Sequence, residues 1–126
     1  MSGAALLMFN SSPVSGGLLI TLTETDVSGT GYGYGSVVSY PSVFCNVAGG
    51  IAPFTYSWVK TSGSAGTQAT SPASVSTTFR EVLNEGDVKN STWHCHVVDS
   101  VGTSGDSGDV DVALSAFPDF TSGLYF

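Results

Sequence analysis

At 126 residues the chain has room for one domain, which excludes a multidomain enzyme, and with 41% hydrophobic residues it can bury a core without a disulfide scaffold. Ten acidic residues against three basic ones (Lys60, Arg80, Lys89) give a net charge of -7, which repels phosphate backbones and anionic headgroups, so no nucleic-acid partner is expected. Charged residues are only 10% of the chain, while 20 Ser, 13 Thr and 16 Gly make its surface hydroxyl-rich rather than ionic.

In chain order, the N-terminal segment carries one apolar run, Ala4–Phe9, too short for a secretory core and with no basic residue ahead of it, so no signal peptide is expected. No apolar stretch approaches the ~20 residues of a spanning helix, and membrane insertion is not expected. The sequons at Asn10 and Asn90 read as chance occurrences in a Ser/Thr-rich chain. From there the pattern is apolar residues at spacing two in short runs broken by Gly, Pro, Asn or Asp, with almost no helical periodicity. Strands are predicted over Leu18–Glu24, Val37–Val47, Phe54–Lys60, Ser74–Phe79, Ser91–Val98 and Asp109–Leu114, enough for a sandwich or barrel. The glycine-rich stretch Ser28–Ser36 reads as a long loop or hinge, and Arg80–Gly86, ending in Gly, as one helical turn. There is no internal repeat.

Because strand side chains alternate between faces, register can be tested on the cysteines. An inward Cys95 makes Trp93 and Val97 inward and leaves His94, His96 and Val98 outward; an inward Trp58 carries Tyr56 and Phe54 with it, and an inward Cys45 carries Val43 and Val47. Cys45, Trp58, Trp93 and Cys95 therefore fall in one core. Cys45, Trp58 thirteen residues on and Cys95 fifty residues after the first follow the Cys, Trp, Cys order of immunoglobulin-like sandwiches. The segments CNVAGGIAPFTYSW (Cys45–Trp58) and TWHCHVVDSVGTSGDSGDVDVAL (Thr92–Leu114) resemble the corresponding segments of bacterial and phage immunoglobulin-like and polycystic-kidney-disease-type domains. Asp99, Ser100 and Gly102 read as the turn before the final strand. Where antibody-type domains place a corner Tyr two residues before the second Cys, this chain has Trp93.

The resemblance implies an all-β, immunoglobulin-like antiparallel sandwich over 36–115; outside it, residues 1–35 read as an N-terminal arm or strand with the Gly/Tyr-rich loop, and 116–126 as an aromatic arm. It also implies a virion setting, with the chain made in the bacterial host cytoplasm and placed on capsid or tail. Strand parity permits a Cys45–Cys95 disulfide, closing a loop of about 50 residues and contributing ~4 kcal/mol in the chain-entropy model. A reducing cytosol permits two buried thiols equally well.

For chemistry, His94 and His96 lie two apart on one strand face, a spacing that holds a metal when a third ligand approaches from a neighbouring strand; an exposed polar face is the plainer reading. Asp106, Asp109 and Asp111 could supply oxygens to Ca²⁺ but match no EF-hand spacing. No nucleophile elbow, phosphate loop or acid/base pair stands out, so no enzyme and no cofactor are expected. The ends are the more informative feature. Leu6, Leu7, Met8 and Phe9 at one end, and Phe117, Phe120, Leu124, Tyr125 and Phe126 at the other, form apolar clusters of the kind that make interfaces, and Tyr32 and Tyr34 suggest a recognition loop. The expected role is a non-enzymatic capsid or tail accessory (decoration) protein that is homo-oligomeric, attaches to other virion proteins through its terminal arms, and touches host-surface glycans weakly. The alternative is a bacterial surface adhesin or carbohydrate-binding module.

Overall fold

The computed structural model describes residues 17–118. All of its regular elements are strands: β1 (Leu19–Leu22), β2 (Asp26–Tyr32), β3 (Gly35–Val38), β4 (Val43–Ala48), β5 (Thr55–Gly63), β6 (Gln68–Ala69), β7 (Ser76–Thr77), β8 (Phe79–Leu83), β9 (Val88–Val98), β10 (Ser104–Asp106) and β11 (Val110–Phe117). Among the described residues there is no helix long and apolar enough to cross a membrane.

The strands form two layers. In one, β1 pairs with β4 and β4 with β7, while β3 pairs with β8 and β8 with β6, all antiparallel. The breaks between β3 and β4 and between β7 and β8 coincide. Across them Ser39 N donates to Phe79 O at 2.8 Å and Phe79 N to Ser39 Oγ at 2.9 Å, joining the two pieces into one sheet. In the other layer the eleven-residue β9 pairs with β5 along one edge, and with β11 and β10 in succession along the other, and β2 extends the sheet parallel to β11.

Between the layers, Val43, Cys45, Phe79 and Leu83 of the first face Trp58, Trp93, Cys95, Val97, Val110, Val112 and Leu114 of the second, all buried. Phe79 is central, stacking edge-on to Trp58 at 6.1 Å and tilted on Trp93 at 4.9 Å. Strand parity is as read from the sequence: Trp93, Cys95 and Val97 point inward, and His94, His96 and Val98 sit on the half-exposed outer face.

Several local expectations are corrected. The predicted Val37–Val47 strand is two strands, broken around Pro41, which has no N–H to donate. Arg80–Gly86 is not a helical turn but strand β8 and the turn after it, paired with β3 and β6 and burying Phe79 and Leu83. The alternation was hidden by the acidic Glu81 between them, whose carboxylate accepts the Ser64 hydroxyl at 2.9 Å and that of Thr67 as well. Ser28–Ser36 is no loop or hinge either, since most of it is strand in β2 and β3. Two of its alternating glycines, Gly29 and Gly31, stand where β3 lies directly against β2. A Cβ at Gly31 would sit 2.8 Å from Val37 Cγ2, and one at Gly29 would overlap the Val38 carbonyl. β1 and β2, ahead of residue 36, are thus integral to the two sheets.

Candidate functional site

The core signature residues are structural. Trp58 Nε1 donates to Ser74 O at 2.8 Å and Trp93 Nε1 to Ser91 Oγ at 2.9 Å, so both indoles are satisfied internally. Cys45 and Cys95 are unbonded, buried thiols. Burial pushes both upward in pKa; the hydrogen bond that Cys95 donates to Cys45 partly offsets this for Cys45 and adds to it for Cys95. Neither is a nucleophile at neutral pH.

Three surfaces remain. The first is the outer face of the β5–β9–β10/β11–β2 sheet near the β9–β10 hairpin. Asp106 is the cross-strand partner of His96, and its Oδ1 lies 2.7 Å from His96 Nδ1 and 3.4 Å from His94 Nε2. The three side chains are 20% (His94), 38% (His96) and 57% (Asp106) exposed. Asp99 sets the hairpin. Its carboxylate accepts from Val101 N at 3.0 Å, Thr103 N at 2.8 Å and, across the loop before β5, Ile51 N at 3.1 Å. Burial alone would raise the Asp99 pKa, but the backbone donors, that of Thr103 foremost, outweigh it and hold the carboxyl below the ordinary range.

On the same face, toward the other end of β9, the sheet curves into an open groove of about 510 Å³ lined by Asp26, Ser28, Ser62, Asn90, Thr92 and Asp111. Thr92 donates its hydroxyl to Asp111 Oδ1 at 3.0 Å. Asp106, Asp109 and Asp111 are not gathered as a calcium set: Asp106 serves the histidines and Asp111 serves Thr92.

The third surface is the end where β11 finishes. Phe117 is 50% exposed and packs at 6.0 Å on Tyr32, itself 71% exposed, with Tyr34 (74% exposed) in the bend beside them. Tyr32 and Tyr34 thus stand at a tight corner between β2 and β3 rather than on a long loop. The other interface candidates, Leu6, Leu7, Met8 and Phe9 and Phe120, Leu124, Tyr125 and Phe126, lie outside the described residues.

Sequence reasoning missed Asp106 as the partner of the histidines and missed the groove. The first was within reach: a turn centred on residues 99–103 places 106 opposite 96 by counting alone. The groove depends on sheet twist and on the parallel β2–β11 pairing, for which no local signal exists.

No family model matches the chain, and no curated protein matches it. Among solved structures it is similar to the ASH/PapD-like domain 7 of human CEP192, with a TM-score of 0.65 at 5% identity over 95% of this chain and 99% of that one. It is also similar to the PKD domain of human KIAA0319, with a TM-score of 0.49 at 13% identity over 93% and 100%. With the two-layer topology, the first likeness shows the fold: an all-β, immunoglobulin-like sandwich.

Proposed function

We propose that the protein is a non-enzymatic accessory or decoration protein of a phage virion, on capsid or tail, that attaches through its terminal segments and exposes its sandwich. The observation that carries the attachment half is the Tyr32–Phe117 pair, which puts exposed aromatic surface where β11 leads into the apolar 119–126 segment. The virion half is supported by the resemblance of the Cys45–Trp58 and Thr92–Leu114 segments to phage and bacterial immunoglobulin-like domains. The partners in this reading are other virion proteins and further copies of the chain, with no nucleic acid and no membrane insertion. Electron microscopy of particles from the source lysate, labelled with gold-conjugated antibody against the chain, tests it. Regular labelling of capsids or tails is expected, and unlabelled particles would overturn it.

The polar groove favours the second reading, a bacterial adhesin or carbohydrate-binding module. Its hydroxyl, amide and carboxylate groups suit polyol recognition, although no aromatic ring lines it: Trp58 and Trp93, mostly buried, border a separate pocket with Lys60, Thr67 and Gln68. Label on bacterial envelopes instead of particles would bring this reading forward.

A further inference from the structure

We propose that the outer face of the sheet formed by β1, β3, β4, β6, β7 and β8 receives residues 119–126 of a second copy of the chain, an inference that rests on the attachment reading above and names the partner. Strand alternation turns Leu19, Val38, Phe44 and Val82 outward on this face, the last three half-exposed. Tyr40, largely exposed, stands in the break between β3 and β4. Arg80, opposite Val38, is the one charged residue among the outward strand positions. The other sheet is the reverse, with Asp26, Asp106 and Asp111 on its outer face. A chain of net charge -7 thus keeps one face clear of carboxylates, and among the described residues none pairs with Arg80. Apolar residues exposed singly are ordinary, but several on one acid-free face mark a docking surface.

Residues 119–126 match this face in pattern, length and charge. In an extended conformation Phe120, Leu124 and Phe126 fall on one side of the segment. Phe120 to Phe126 is a step of six residues, as is Val38 to Phe44, about 20 Å in each case. Asp119 is the segment's one charged side chain, and it meets Arg80 when Phe120 lies over Val38 and Val82. The same segment of the chain itself falls short. Phe117 belongs to the other layer, at the corner where Gly33 N donates to its carbonyl. From that corner the path crosses about 10 Å between layers and then follows β3 and β4 away from it, nine residues or about 30 Å from Gly35 to Phe44. Eight extended residues span at most about 29 Å. A neighbouring copy, approaching from outside, covers the whole face.

Light scattering on the purified full chain over a concentration series tests this. One such contact is small beside the ~1,600 Å² of a standard interface, so the mass should rise with concentration from one chain to two or more. Phe44→Ser/Val82→Glu disables the face, and Phe120→Ser/Leu124→Ser/Phe126→Ser disables the segment; each should weaken assembly about tenfold or more. The face variant should still melt like the parent at low concentration, since both side chains are already half in water. A 1:1 mixture of the two variants should regain a two-chain species, one supplying an intact segment and the other an intact face. Arg80→Glu and Asp119→Arg should each weaken assembly a few-fold and restore it when combined. Assembly kept by either of the first two variants overturns the inference, the first pointing to another docking surface and the second to face-to-face packing. A parent that stays at the mass of one chain, yet melts above the segment variant, overturns it in favour of the chain covering its own sheet. Gold labelling of particles, the test of the attachment reading, is independent of these outcomes: labelled particles with a monomeric parent would keep attachment and remove the contact between copies.

Discussion

Gly29 of β2 lies so close to Val38 of β3 that a Cβ on it would overlap the Val38 carbonyl oxygen and come within 3.1 Å of Leu114 Cδ2. β2 belongs to one sheet and β3 to the other, so this contact is where the chain crosses between layers. Both obstacles are fixed, one being backbone and the other a fully buried side chain. Gly29→Ala should therefore destabilise the fold by about 1–3 kcal/mol, toward the upper end, through overpacking. Gly108, which has nothing within 4 Å of its would-be Cβ, is the control. Gly108→Ala should be neutral or raise stability by up to about 1 kcal/mol through the unfolded state. Urea denaturation of both variants beside the parent measures the difference, and equal effects would refute the account of β2.

Where a residue's role depends on its own face, the sequence was legible. Trp93, Cys95 and Val97 against His94 and His96 is a strict alternation, and the two core halves around Cys45 and Cys95 followed from it. Where a role depends on what packs on top, it was not. The alternating glycines of β2 resemble a flexible linker until β3 is laid across them, and Glu81 resembles a solvated helical position until Ser64 and Thr67 are seen to satisfy it. The histidine cluster falls between: its third member follows from the hairpin turn, but only once that turn is trusted as a register mark.

The two buried thiols set an alkaline limit. Their pKa values are raised in the fold by burial, so the folded state keeps protons that the unfolded chain releases. Their contribution is complete below the unfolded thiol pKa and is lost as pH rises above it. Under reducing conditions stability should fall from about pH 9 upward, by up to about 1.4 kcal/mol per pH unit for each thiol. Tyr56, raised in pKa by burial and by charge on the cysteines, extends the fall to higher pH. Urea midpoints at pH 8 and pH 10.5, for the parent and a Cys45→Ala/Cys95→Val variant, check this. The variant should show a shallower decline, and equal slopes would refute it.

Asp99 sets a corresponding acid limit. Its carboxyl is held below the ordinary range, so its contribution is present above the unfolded value near 4 and is lost as pH falls through the lower folded value. Asp99→Asn removes the charge that accepts from Ile51, Val101 and Thr103. The variant should be less stable at pH 7, and its deficit should shrink as pH falls below about 4. Thermal melts from pH 7 to pH 2 would show the two curves converging, whereas a constant offset would mean that the hydrogen bonds do not depend on ionisation.

The end of β11 separates attachment from folding. Ala116 N donates to Asp87 O at 3.0 Å, Gly86 N to Ala116 O at 2.7 Å and Gly33 N to Phe117 O at 2.8 Å, so residues 116 and 117 complete the sheet and tie down two turns. A chain cut before Ala116 should lose at least about 2–4 kcal/mol, from these three backbone hydrogen bonds at roughly 0.5–1.5 kcal/mol each, and with them the Ala116–Gly31 and Phe117–Tyr32 ladder pairs. A chain cut after Pro118 keeps all three and should melt like the parent, yet it should no longer assemble if residues 119–126 are the attachment segment. Phe117→Ser in the full chain leaves the backbone bonds in place while removing half of the Tyr32 pair. It should weaken assembly with little cost to the fold, since the ring is already half in water. Light scattering and melting curves on the three variants distinguish the cases. Unaltered assembly in the chain cut after Pro118 would place the attachment surface elsewhere.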